Sequence, residues 1–299
     1  MFWNKKVTIA THSGNFHPDD VFSVAVLSMI YKGRIKVIRS RDPEVYSKAD
    51  FVIDIGFEHN PDTNRFDHHQ EGGPGARPNG IKYSSIGLLW KKYGVQVCGS
   101  ERIAKILDER LIQLIDAEDE KVDLYDFKIK GVKPFPLINF IYDLTPTWKD
   151  KISLDEAFMK AVDFAKEVLE REIKLQKDEE EARCIVEKAY LNSSDKRIII
   201  LENPYMPKSI LMEYPEPLFV IRPEKDGPYW RVGTLDIEKN SYDHGVRKNF
   251  PQNWWGKKRE ELVEITGVED IVFCRNGGIF AGAQSKEGAI KMAQLALEK

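Results

Sequence analysis

The sequence predicts an α/β protein with a parallel-sheet N-terminal domain over residues 1–150, a linking helix over 151–193 and a smaller α+β domain over 194–299. Three observations predict it. Short β-branched runs alternate with helically spaced segments through the first half, which is the pattern of a parallel α/β sheet. A long stretch rich in Glu, Lys, Ala and Leu then runs without Gly or Pro. After Asn192-Ser193-Ser194-Asp195 the pattern changes to strands. A chain of 299 residues is long enough for two ordinary domains with real cores.

The elements follow in order. Residues 7–10 (Val-Thr-Ile-Ala) read as a strand, 21–31 as a helix, 36–39 as a short strand and 51–55 as another. Helical spacing returns at 84–93 and 100–115. Between 154 and 191, Leu154, Phe158, Val162, Ala165, Leu169 and Ile173 recur at three- and four-residue steps, so the segment is one long helix or a helical hairpin. Its run from Lys177 to Glu181 is a solvated face. In the second domain, 197–201, 218–222, 230–237 and 271–273 read as strands of a mixed or antiparallel sheet, closed by a helix at 285–297. No internal repeat or low-complexity tract is present.

Composition excludes several classes. The net charge of -3 provides no global field toward nucleic acid or membrane, so an anionic substrate must be drawn by local groups. The three cysteines, Cys98, Cys184 and Cys274, form no C-x-x-C pair, which argues against a disulfide framework, a zinc ribbon or an iron–sulfur site and fits a reducing cytosol. The N-terminus has no apolar signal region, and no stretch approaches the roughly 18 apolar residues of a membrane span. A cytoplasmic protein without a membrane partner is expected. The oligomeric state is left open, a homodimer included.

Chemistry concentrates in the first half. Four of the six histidines, His12, His17, His68 and His69, sit beside carboxylates at the ends of predicted strands. Ligands of open parallel sheets bind beyond the carboxyl ends of the strands, which is where His12, Asp19, Asp54 and His68 fall. Imidazole with carboxylate is a donor set for divalent cations. A carboxylate on a strand tip can bridge two cations about 3.5–4 Å apart, and Asp54 is the candidate bridge. Asp116 and Asp119, which end the apolar stretch from Leu111 to Ile115, can complete the shell. Blander readings stand beside these. His12 or His17 alone is an ordinary loop histidine, and Asp116 and Asp119 fit a solvent-facing helix turn. Asp20 serves equally well as a helix cap. His59 and His244 read as surface residues, Trp254-Trp255 as core or interface packing, and Gly277-Gly278 as a turn.

Several motifs occur in order: His12-Ser-Gly-Asn-Phe-His17-Pro-Asp19, Asp54-Ile-Gly56, Phe66-Asp67-His68-His69-Gln70, Ser84-Ser85-Ile86-Gly87-Leu88 and Ile115-Asp116-Ala117-Glu118-Asp119. Together with Arg247-Lys248-Asn249-Phe250-Pro251-Gln252-Asn253-Trp254 and Glu287-Gly288-Ala289, this arrangement resembles the Myg family, within the DHH phosphoesterase superfamily, over nearly the whole chain. The resemblance implies a DHH-type N-terminal domain and a pair of divalent cations, Mn2+ or Mg2+. It also implies phosphoester hydrolysis, with RNA or short oligonucleotides cut from the 3′ end. Carried over, His12, His17 and Asp19 would hold one cation, Asp54 would bridge, His68 with Asp116 or Asp119 would hold the second, and His69 would touch the substrate phosphate. Two motifs depart from the wider superfamily: His17 stands where a carboxylate is usual, and Asp119 is followed by Glu120-Lys121 rather than Asn-Gly. Arg275 occupies a position where a family histidine is expected, keeping a cation without its proton-shuttling ability.

The chemistry then follows from charge. A phosphodiester repels hydroxide, and two cations both neutralise it and lower the pKa of water. Asp54, His69 and Arg275 are the expected catalytic residues. Arg247, Lys248, Arg259, Asn276, Gly277 and Gly278 are expected to bind substrate, the arginines as planar forks and the glycines through backbone N–H groups. Trp230, Trp254 and Trp255 are candidate stacking platforms. Two other functions fit the same residues: a small-molecule phosphoesterase acting on pyrophosphate, a cyclic dinucleotide or a monophosphate, and a metal-stabilised binding protein without catalysis.

Overall fold

The structure is a computed structural model and describes residues 5–126, 129–132, 134–237 and 245–299. The chain folds into two compact units, Met1–Gln176 and Lys177–Lys299. Each has one five-stranded sheet, and the whole is mixed α/β.

In the first unit the strands are β1 (Val7–Thr11), β2 (Ile35–Arg39), β3 (Phe51–Ile53), β4 (His59–Asn60) and β5 (Arg65–Phe66), in the order β2-β1-β3-β5-β4. The first four in that order are parallel, and β4 closes the edge antiparallel to β5. The helices are α1 (Pro18–Ile30), α2 (Pro43–Tyr46), α3 (Ser85–Cys98), α4 (Glu101–Leu107), α5 (Gln113–Asp119), α6 (Leu137–Asp143) and the start of α7 (Leu154–Asn192). α1 is apolar on nearly every side and lies deep in the core, as an all-round hydrophobic helix must. Its start is built by residues of the site. Pro18 supplies the fixed φ of the first turn, and the Asp20 carboxylate accepts the His17 backbone N–H at 3.0 Å in a capping box. His17 is therefore the cap, and Asp20 its third-position partner.

Two expectations change. The segment 100–115 is not one helix: a π-turn at Asp108–Ile112 separates α4 from α5 and rotates the face that α5 presents. The strand at 51–55 stops at Ile53, because Asp54 adopts φ 56°, which no strand continues. The stretch 154–191, by contrast, lies within one uninterrupted 39-residue helix. Its Phe158, Ala161, Val162, Ala165 and Leu169 belong to the first core, and Val186 and Tyr190 to a cluster of the second unit.

The second unit holds β6 (Ile198–Ile200), β7 (Phe219–Pro223), β8 (Trp230–Thr234), β9 (Ile271–Cys274) and β10 (Phe280–Ala283) in the order β6-β7-β8-β10-β9. Only β6 and β7 are parallel, so the sheet is mixed. The remaining helices are α8 (Arg259–Thr266) and α9 (Lys286–Glu298). Ile221, Val232, Ala281 and Ala283 pack with Ala289, Met292 and Ala293 of α9 in one core. Val220, pointing the opposite way, joins Val186, Tyr190, Ile210 and Leu235 in another. Strand β10 is not among the expected strands: Phe-Ala-Gly-Ala has little β propensity, and it forms because neighbours on both sides pair with it.

Candidate metal centre

The loop after β1, the first turn of α1, the end of β3, the loop after β5 and the end of α5 deliver the ionisable residues to one place. His12 follows directly on β1 and is buried; its Nε2 lies 3.2 Å from Asp54 Oδ2 and 3.3 Å from Asp20 Oδ2. Its Nδ1 faces the Ser13 carbonyl at 3.2 Å and an Arg41 guanidinium nitrogen at 3.3 Å. On the other side of Asp54, the Oδ1 atom is 3.2 Å from His68 Nε2, 3.2 Å from Ser85 Oγ and 3.6 Å from His69 Nδ1. The left-handed backbone at Asp54, strained for a non-glycine residue, turns its carboxylate into this gap.

His68 Nε2 is also 3.3 Å from Asp119 Oδ2 and 4.0 Å from Asp19 Oδ2, while its Nδ1 meets Glu120 at 3.3 Å. Asp19 is fully buried. One oxygen accepts the Ser85 N–H at 3.3 Å, and the other, Oδ1, has no hydrogen-bond partner. His12, His17 and Asp54 form one group of mutually close ligand atoms; His17, Asp19 and Asp119 form another; Asp54 and His68 join with His69 in a third. These groups can hold a metal ion.

The electrostatics fit cations. Burial, then the charges of Asp54, Asp119 and Asp20, holds the Asp19 carboxyl well above the usual carboxylate range. Burial likewise raises Asp119. Burial also opposes the charge on Asp54, but the imidazoles of His12 and His68 outweigh it and hold that carboxyl below its ordinary value. Burial opposes the imidazolium charge too, yet the facing carboxylates push His12 up to about 10 and His68 up to about 9. Protons on two imidazoles thus stand in for positive charge that the carboxylates require. An orphaned buried carboxylate oxygen and mixed imidazole and carboxylate donors are what a divalent cation would satisfy.

Asp67 and Asp116 do different work. Asp67 Oδ1 accepts the N–H groups of His68 and His69 and the His69 ring Nδ1 at 2.8, 3.2 and 2.7 Å, so this carboxylate folds the turn that carries both histidines. Asp116 is buried and receives Ser84 N, Ser84 Oγ, Gly87 N and a two-nitrogen contact from Arg77. The structure brings Asp119, not Asp116, against His68. Sequence reasoning assigned no role to Arg41, Ser85, Arg77, Glu120 or Tyr142. Ser85 belongs to the motif that opens α3. The others carried no local signal, and Tyr142 reaches the cluster from α6 with its ring 6.1 Å from that of His17.

The residues expected to bind substrate lie in the second unit. Arg247 donates to the carbonyls of Met212, Tyr214 and Pro217 at 2.9, 2.6 and 3.1 Å, and Arg259 to that of Glu269 at 3.0 Å. Lys248 is half-buried, and Arg275 and Asn276 are exposed. Gly277 and Gly278, both at positive φ, turn β9 into β10; the Gly278 N–H is donated to Arg275 O at 3.0 Å. A side chain at Gly278 would overlap the Trp255 ring. Trp254 is wholly buried and therefore core, and Trp230 and Trp255 are half-buried. His59, expected at the surface, is half-buried against Phe66. His244 lies outside the described residues. Among those described, no helix is long and apolar enough to cross a membrane.

Comparison with known proteins places the chain in a family. The chain is 31% identical to the MYG1 protein of Dictyostelium discoideum, over 96% of this chain and 95% of that protein. It is 30% identical to the MYG1 exonuclease of Rattus norvegicus and 28% identical to that of Homo sapiens, over 97% of this chain and 84% and 85% of theirs. No solved structure matches. The family model MYG1_exonuc, described as Uncharacterised protein family (UPF0160), matches residues 8–297, from the first strand to the last helix, and the chain belongs to that family.

Proposed function

We propose that the protein is a metal-dependent phosphodiesterase with a DHH-type N-terminal domain, an exonuclease that shortens RNA or short oligonucleotides with two divalent cations. The observation that carries this reading is the Asp54 carboxylate, one oxygen facing His12 and the other His68, so that a single side chain joins two ligand sets. His12 and His17 would complete the first set, and Asp19, His68 and Asp119 the second. Three imidazoles favour manganese over magnesium, which prefers oxygen ligands and keeps several waters. When bound, such a pair lowers the pKa of water and neutralises the oxygens of an in-line displacement. The exonuclease direction is supported by the names of the rat and human relatives.

The remaining steps belong to side chains. His69 donates its ring Nδ1–H to Asp67, which raises its pKa, and the half-exposed ring would present Nε2 to a phosphate oxygen. Burial and the carboxylates of Asp119 and Asp19 push the Tyr142 phenol up, so it stays a donor at neutral pH. Glu120 holds the other nitrogen of His68 and fixes which one points at Asp54. Arg77 and Ser84 hold Asp116, which anchors α5 and with it Asp119.

The test offers manganese-loaded protein a labelled short RNA, a dinucleotide, pyrophosphate and a nucleoside monophosphate. Mononucleotides released from the RNA, in an EDTA-sensitive reaction, are expected. Cleavage of pyrophosphate or of the monophosphate alone would overturn the exonuclease reading.

A further inference from the structure

Strands β7, β8 and β10 place a cationic cavity on the face of the second sheet that α9 does not cover. The cavity is about 500 Å³, within the range of about 300–1,000 Å³ usual for small-molecule sites, and Lys208, Arg222, Arg231, Gly233, Arg275 and Phe280 are among its walls. Arg222 and Arg231 are register partners on neighbouring strands. Like charges directly opposite each other destabilise a sheet, so such a pair favours an anion beside it.

The nearby acids do not supply enough. Lys208 pairs with Asp236 at 3.1 Å, and Arg231 with Glu224 at 3.3 Å. That leaves Arg222 and Arg275, for which no ion pair is found among the described residues. Burial, then the repulsion of Arg231, lowers the pKa of the half-buried Arg222 guanidinium against the weaker attraction of Glu224. The Phe280 ring organises the cluster, with the Arg231 guanidinium 3.9 Å and that of Arg275 5.2 Å from its centroid. Gly233, the register partner of Phe280, leaves the space open: a Cβ there would meet only the Val220 carbonyl, at 4.0 Å.

We infer that this cavity is a binding site for a phosphate-bearing nucleotide unit, with Arg222 and Arg231 gripping the phosphate and the remaining volume taking the nucleoside. The choice of a nucleotide over other phosphate compounds rests on the exonuclease reading above. Guanidinium forks match phosphate oxygens in pairs, which is the contact that relieves the Arg222–Arg231 repulsion.

The test is calorimetric titration of the full chain in EDTA at low salt with adenosine 5′-monophosphate, inorganic phosphate and adenosine. The monophosphate should bind at least tenfold more tightly than either of the others, and more weakly as salt rises. Arg222→Gln should weaken it roughly tenfold or more, the expected loss of a charge-assisted contact. Gly233→Val should do the same by filling the cavity, with an unchanged melting temperature. Absence of monophosphate binding, equal binding of adenosine or of inorganic phosphate, or wild-type affinity in both variants would overturn the inference. Manganese-dependent hydrolysis of bis(p-nitrophenyl) phosphate, followed in parallel, separates the two readings. Failure to hydrolyse, with monophosphate binding intact, contradicts the phosphodiesterase and leaves the cavity standing. Hydrolysis without monophosphate binding contradicts the cavity alone.

Discussion

Asp19 is the residue whose environment is least comfortable without a cation, being buried, close to three other carboxylates and left with one unpartnered oxygen. Its folded pKa lies above the unfolded value, so ionisation at neutral pH opposes folding of the metal-free chain. Asp19→Asn should therefore raise the melting temperature in EDTA while reducing the further rise that manganese produces; a lower melting temperature in EDTA would contradict the strain. His12 runs the opposite way. Its pKa is raised to about 10, so its protonated form stabilises the metal-free protein fully below the unfolded value of about 6.5, and that contribution is lost as pH rises through 10. In EDTA, His12→Gln should be clearly less stable than wild type at pH 6 and nearly equal to it above pH 10, as urea denaturation at the two pH values would show. Protons and cations compete for the same nitrogens, so manganese affinity should climb over the same range.

At the scale of elements, α3 and α5 are locked by one buried carboxylate. Removing Arg77, as in Arg77→Met, leaves Asp116 buried and unpaired, which should cost about 3–5 kcal/mol of stability without altering manganese stoichiometry. Gly87 faces the same carboxylate so closely that a Cβ would overlap its oxygens. Gly87→Ala should accordingly lose about 1–3 kcal/mol in denaturant unfolding, although alanine is the better helix former. These contacts also explain what could be read in advance. The apolar run Phe51-Val52-Ile53 ending on Asp54, and His12 just after the first strand, marked candidate ligands, but only the motifs taken in order joined them into one expected set. The division of labour between Asp116 and Asp119 was not legible, because Asp116 is claimed by Arg77 and Ser84, residues 39 and 32 positions away. The π-turn that re-aims α5 has no residue signature. Glu120 and Tyr142 carried no local signal of their places beside His68 and His17. In the second unit, Arg247 is consumed by three carbonyls, whereas Arg222 and Arg231, which read as plain strand residues, line a cavity.

Across the whole molecule, chemistry is divided between two kinds of surface. The first unit gathers buried acids and imidazoles at the carboxyl ends of β1 and β3, the usual position of a site in an open parallel sheet. The second unit presents arginines on the face of its mixed sheet opposite α9. A near-neutral chain is thus compatible with the polyanionic substrate proposed above, since both charge signs are concentrated locally rather than summed over the surface. The proposed place of Asp54 between two divalent cations is tested most directly by soaking crystals of the protein in manganese and recording anomalous difference density. Two peaks about 3.5–4 Å apart, one on each side of the Asp54 carboxylate, are predicted. A single peak, or density away from Asp54, would contradict it.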